Sequence, residues 1–124
     1  KSVAGNIESD RVFAIKTQSL SQTASVMKRC NVFITNDSSL LHVASAMQLK
    51  VVAIIGPTNS NYISPWKTAH RVASLKLDCS PCFFYSPKPL SCKRTDVQFK
   101  CIKELEAEKV FSVLEELLTD GNQR

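Results

Sequence analysis

Three short segments carry residue types from which a binding site can be built: Thr17-Gln18-Ser19, Asn36-Asp37-Ser38-Ser39 and Gly56-Pro57-Thr58-Asn59. The middle segment is the richest. Asp37 offers carboxylate acceptors, Ser38 and Ser39 offer hydroxyl donors, and His42 offers a ring nitrogen one helical turn further on. Such a set at the start of a helix suits a phosphate, because the first backbone N–H groups lack intrahelical partners and the helix dipole is positive there. The plainer reading is that Asp37 caps a helix and His42 is an exposed helical residue. The segment holds no glycine, so neither a dinucleotide fingerprint nor a Walker loop is present.

Four cysteines form a second constellation, Cys79-x2-Cys82-x9-Cys92-x8-Cys101. The spacing is similar to that of a four-thiolate metal site, although the second pair is too far apart for a zinc knuckle. A thioredoxin-type redox pair at Cys79-Ser80-Pro81-Cys82 needs a helix opening at its first cysteine, and Phe83-Phe84-Tyr85-Ser86-Pro87 does not read as one. The simplest expectation is four reduced, partly buried thiols pinning a long loop, with no metal ligand assigned. Cys30 reads as a small core residue on a helical stripe. Phe83, Phe84 and Tyr85 stand near Lys88, Lys93 and Arg94, a mixture that can stack and pair with nucleic acid. Aromatic residues beside a proline-rich loop more often anchor the loop, and no nucleic-acid partner is expected.

The elements that position these residues alternate in type. Arg11-Val12-Phe13-Ala14-Ile15 reads as a strand. Leu20, Ala24, Met27 and Cys30 mark a helix, with Ser19 as N-cap, Gln22 completing a capping box and Lys28 and Arg29 in the last turn. Val32 to Thr35 is a strand, and Ser38 to Gln48 a helix with Leu40, Leu41, Val43, Ala44 and Met47 inward. On that helix Ser38, His42 and Ser45 share the opposite, polar stripe. Val51 to Ile55 is apolar on both faces, as a central parallel strand requires. Arg71 to Leu75 is a fourth strand. Residues 76–103 are irregular. Val110, Val113, Leu114, Leu117 and Leu118 define a closing helix at about 106–120, with Gly121 as its C-cap. This order predicts one α/β domain over residues 1–124, a three-layer Rossmann-like parallel sheet with flanking helices.

Composition agrees with a folded domain: 44% of residues are hydrophobic and 22% charged, which excludes a wholly disordered chain. The longest apolar run, Val51 to Ile55, is far short of the roughly 20 residues of a membrane helix. The first residues lack the apolar stretch of a signal peptide, and the missing initial Met suggests an excised piece. Five cysteines, an odd number, favour a reducing, cytoplasmic setting over a secreted disulfide scaffold. The net charge is +5, concentrated between Lys76 and Lys103, where six basic residues face two acidic ones. That loop suits an anionic partner, or is a solvated surface.

Read together, Ser19-Leu20, the run from Cys30 to Ala46 and the run from Val51 to Asn59 resemble glycosyltransferase family 9, the heptosyltransferases of bacterial lipopolysaccharide assembly. The carrying motif is Asp37-Ser38 followed by His42 and then Gly56-Pro57-Thr58. The likeness continues through Pro65-Trp66 and Cys79-Ser80-Pro81-Cys82 to Val110 and Leu117-Leu118. It implies a GT-B enzyme with its active site between two Rossmann-like domains, this chain being the C-terminal, donor-binding one.

The implied donor is a nucleotide sugar, typically ADP-heptose, and the acceptor an anionic glycolipid reached through the N-terminal domain. Asp37 would accept from sugar hydroxyls, the N–H groups of Ser38 and Ser39 would hold the diphosphate, and His42 would lie beside sugar and phosphate. Main chain at Thr17-Gln18 would border the adenine, and Gln18 and Thr58 complete the expected substrate-binding set. The general base would belong to the other domain, so no catalytic residue, metal or other cofactor is expected in this chain. The implied location is cytoplasmic, with peripheral contact at the inner membrane. The family usually has glycine where Ser39 stands, which bears on how closely a diphosphate approaches the backbone.

Two other functions compete with this one. A metal-bearing or nucleic-acid-binding module would be built on the cysteine loop. A small hydrolase would use His42 as base, but no nucleophile elbow and no acid partner for that histidine is present.

Overall fold

The computed structural model describes residues 7–85 and 87–120. At its centre is β2, Lys50–Ile54, paired in parallel with β1, Val32–Asn36, on one side and β3, His70–Ala73, on the other. The side chains of β2 alternate between two cores, as the period of two demands. Val51 and Ala53, with Ile55 just beyond, join Met27 of α1 (Leu20–Met27) and Leu41 and Ala44 of α2 (Ser39–Ala46). Val52 and Ile54 face the other way, onto Val113 and Leu117 of α5 (Ala107–Asp120). Helices on both faces of a parallel sheet give the expected three layers, and the near-complete burial of β2 explains why its sequence is apolar without alternation.

The α5 stripe packs as its spacing predicts, with Val113 and Leu117 buried and Val110 and Leu114 partly so; Leu118 remains 45% exposed. An ion pair between Arg71 and Asp120 ties the end of α5 to β3. Gly121 and its capping role lie outside the described residues.

Several expectations fail, each for a local reason. Arg11 to Ile15 forms no strand, and Val12, Phe13 and Ile15 are exposed. Strand propensity acts through a ladder partner and a packed face, and this run has neither. Lys28 is the C-cap of α1 and Arg29 follows it, so neither occupies the last turn. Cys30 is exposed, its thiol donating to the Val26 carbonyl at 3.6 Å. On α2 the buried face turns from Leu40 and Met47 toward Ser45, which is 3% exposed. Ser45 can be buried because its hydroxyl donates to the Leu41 carbonyl at 3.0 Å. β3 begins one residue early and ends two early, in register with Val51 to Ile54. Two helical turns, α3 (Ser60–Ile63) and α4 (Lys100–Lys103), interrupt stretches that read as loop.

Candidate functional site

β1 and β2 end side by side, at Asn36 and Ile54, and an open pocket of about 290 Å³ lies just past those ends. Asn36 and Asp37 form one wall, Gly56, Pro57 and Thr58 a second, and Phe83 and Tyr85 a third. The first two walls are the expected segments. The third comes from the cysteine-rich stretch and was not expected to reach the site.

The α2 corner keeps its donors available. Ser38 is the N-cap in extended backbone geometry, yet its side chain makes no capping bond. Its hydroxyl lies 3.4 Å from Thr35 Oγ1 instead. The Leu41 N–H closes back on the Ser38 carbonyl, whereas the N–H groups of Ser39 and Leu40 precede that first bond. α1 behaves in the opposite way: Ser19 Oγ accepts from the Gln22 N–H at 3.2 Å, and Gln22 Oε1 accepts from the Gln18 N–H at 2.8 Å. The capping box therefore forms with its second bond displaced one residue outward, onto Gln18.

The predicted site residues are only partly brought together. Asp37 and Thr58 line the pocket. Ser38, Ser39 and His42 continue along α2 outside its wall, with Ser39 and His42 exposed. Gln18 is exposed before α1 and is likewise not part of the wall. Thr58 is 8% exposed and separates this pocket from a second of about 260 Å³ beyond β3. Its Oγ1 is buried and, among the described residues, has no hydrogen-bond partner. A buried hydroxyl without a partner costs about 1–3 kcal/mol, which a ligand group or a water in the pocket would recover.

Tyr85 is the residue that spacing could not find. Its hydroxyl donates to Asp37 Oδ2 across 48 residues of sequence. Its backbone is left-handed, with φ of 50°, and its ring lies 5.2 Å from that of Phe83 at a tilt of 56°. The N–H groups of Cys82 and Phe83 both donate to the Pro57 carbonyl, at 2.9 and 3.0 Å, so the aromatic segment hangs from the second wall and reaches the first. Phe83 and Tyr85 thus anchor the loop, the plainer of the two roles open to the aromatic residues, whereas Phe84 is exposed.

At Gly56 a Cβ would stand 2.4 Å from Ile102 Cδ1 and 3.3 Å from Cys101 Sγ, so a side chain there would have to displace the half-exposed Ile102 side chain of α4.

The Asp37 bond sets a pH signature. It favours the neutral phenol, and with lesser help from burial it pushes the Tyr85 hydroxyl up from 10.0 to about 12. A raised folded-state value means that the stabilisation is complete below the unfolded value near 10 and is lost as pH climbs toward about 12. The chain has two tyrosines, so the ultraviolet titration of the wild type minus that of Tyr85→Phe isolates this phenol. We expect it to ionise near pH 12. Ionisation near the ordinary value of about 10 would mean that the bond to Asp37 is not kept in solution.

A parallel sheet with an uncapped helix start, a carboxylate and a buried hydroxyl at its carboxyl edge defines an α/β protein of the kind that takes its ligand past the strand ends. The chain belongs to glycosyltransferase family 9 (heptosyltransferase), whose model matches residues 7–91. It is 37% identical over 91 residues to lipooligosaccharide heptosyltransferase 2 of Campylobacter jejuni strain 81116, covering 73% of this chain and 27% of that protein. It is also 37% identical over 65 residues to lipopolysaccharide heptosyltransferase 2 of Escherichia coli K12, covering 52% of this chain and 18% of that protein. The chain thus spans about a quarter or less of the curated relatives it matches. No solved structure is significantly similar to it. Among the described residues no helix is long and apolar enough to cross a membrane.

Proposed function

We propose that this chain is the donor-binding part of a glycosyltransferase of the heptosyltransferase kind, holding a nucleotide diphosphate sugar at the corner between Asp37 and Thr58. The observation that carries the reading is the α2 N-terminus. Its cap residue makes no side-chain bond to the first N–H groups, beside an open pocket with a carboxylate on its wall.

In this assignment the N–H groups of Ser39 and Leu40 meet the diphosphate, together with the Ser38 and Ser39 hydroxyls. His42, exposed one turn on, reaches a phosphate or sugar oxygen. Asp37 accepts from sugar hydroxyls, and the unpartnered Thr58 hydroxyl meets a polar group of the same ligand. Main chain at Thr17 and Gln18 borders the base. The donor is an ADP-sugar of the ADP-heptose type, and the acceptor an anionic glycolipid presented by a second, N-terminal domain of a GT-B enzyme. The setting is cytoplasmic, at the inner membrane surface.

Transfer breaks the bond between the sugar's anomeric carbon and the diphosphate oxygen and forms one to an acceptor hydroxyl, whose proton goes to a base on the other domain. Negative charge grows on the departing nucleoside diphosphate. Donors fixed at a helix start stabilise that charge without reorganising, and losing one such donor typically costs about 2.7–4 kcal/mol. Serine at position 39 adds a hydroxyl where a glycine would let the diphosphate closer to the backbone.

Titration of the 15N-labelled chain with ADP and an ADP-sugar tests this reading. Amide shifts are expected at residues 37–42 and near Gln18 and Thr58. Shifts confined to residues 76–103 would overturn it.

A further inference from the structure

The cysteine loop holds a feature that donor binding does not use. Cys79 and Cys82 follow β3, Cys92 lies ten residues further on, and Cys101 is carried by α4. All four are free thiols, and all four line one small void of about 10 Å³. That is about the space of a single water-sized sphere, and the rest of its lining is largely apolar. We propose that Cys79, Cys82, Cys92 and Cys101 form a tetrathiolate site for one structural zinc ion.

The surroundings are those of sulfur ligands. The Phe99 N–H donates to Cys92 Sγ at 3.2 Å, and the Arg94 guanidinium donates to Cys79 Sγ at 3.4 Å. Phe99 holds a left-handed backbone, φ 57°, an uncommon conformation for a residue with a side chain, and it is the residue that presents this N–H and caps α4. Arg94 is fixed in turn by Asp96 at 2.7 Å and Asp78 at 3.2 Å. Donors of this kind orient thiolates and steady their charge.

Among the described residues no group of three or more His, Cys, Asp or Glu side chains yet stands in ligating geometry. Each cysteine has a single torsion to its sulfur, and a staggered step re-aims it. Cys79 and Cys82 are exposed and give the ion its way in. Each thiol that binds releases its proton, so a thiolate–zinc bond replaces an S–H bond and affinity falls with falling pH. The site also answers a need of the fold. Between β3 and α4 none of the 25 described residues stands in a strand or helix, a length that a compact domain seldom leaves unstapled.

The test uses the full chain, expressed with zinc and purified without chelator. Elemental analysis is expected to give about one zinc per chain. Native thiol titration should find Cys30 reactive and the other four protected. A chromogenic chelator should release the zinc and expose those four together. Cys82→Ser and Cys92→Ser should lose the metal, and Cys30→Ser should keep it. Arg94→Ala, which removes no ligand, should weaken zinc binding about 10–100-fold.

A metal-free chain with five reactive thiols overturns the proposal, and so do disulfides among the four. Iron with acid-labile sulfide overturns the assignment to zinc. The chelator experiment on the wild type needs no variant to fold. ADP titration is a separate readout, so failure here leaves the donor-binding reading standing, and the reverse holds too.

Discussion

Replacing Asp37 by alanine is expected to weaken binding of an ADP-sugar about 10–100-fold while leaving ADP itself nearly unaffected. A hydrogen bond to a charged group contributes about 1.5–3 kcal/mol, and each 1.4 kcal/mol is a factor of ten. The split arises because a carboxylate can accept from sugar hydroxyls but has nothing favourable to offer a diphosphate. Calorimetric titration with the two ligands measures it. Equal losses for both would place Asp37 at the nucleotide or in folding, against the proposed role. Asp37 also anchors Tyr85, and Tyr85→Phe separates the two effects by breaking the same bond while keeping the carboxylate. If Tyr85→Phe costs as much ADP-sugar affinity as Asp37→Ala, Asp37 serves only to hold the loop.

Leu41→Ala should produce the largest loss of stability, about 2–5 kcal/mol. Leu41 is fully buried on α2, where it packs in the core that also contains Val51 and Ala53 of β2. Against a total of about 5–15 kcal/mol for a domain, that is a large share. Urea unfolding should show a lower midpoint with an unchanged slope. A cost under about 1 kcal/mol would mean that the α2–sheet core is not the one described. Because α2 carries the proposed diphosphate donors, loss of its packing should blunt ligand binding as well.

The layered fold was legible because its main elements obey simple periods. β2 is apolar throughout, and its position between two cores requires that. α5 repeats its apolar residues at three and four. The Arg11 to Ile15 run shows where the same logic stops: its residue types suit a strand, but pairing is a property of neighbours, and the strand next to β2 on that side is β1. Ser45 misled in another way, since a hydroxyl that bonds its own helix can be buried like an alanine. Of the site, Asp37 and Thr58 could be placed because a strand end and a turn mark them locally. Tyr85 could not, since its contact with Asp37 spans 48 residues and depends on the path of an irregular loop. The cysteine spacing was visible in the sequence, whereas the void that the four cysteines line is a fact of tertiary structure.

The double acceptance by the Pro57 carbonyl carries a mechanical consequence. One oxygen tethers both Cys82 and Phe83, and the proline ring keeps its own backbone stiff. Displacing the 56–59 turn therefore drags Cys82 on one side and the Phe83–Tyr85 ring pair on the other. The proposed ligand at Thr58 and the proposed ion at the thiols would therefore share one pivot, the Pro57 carbonyl.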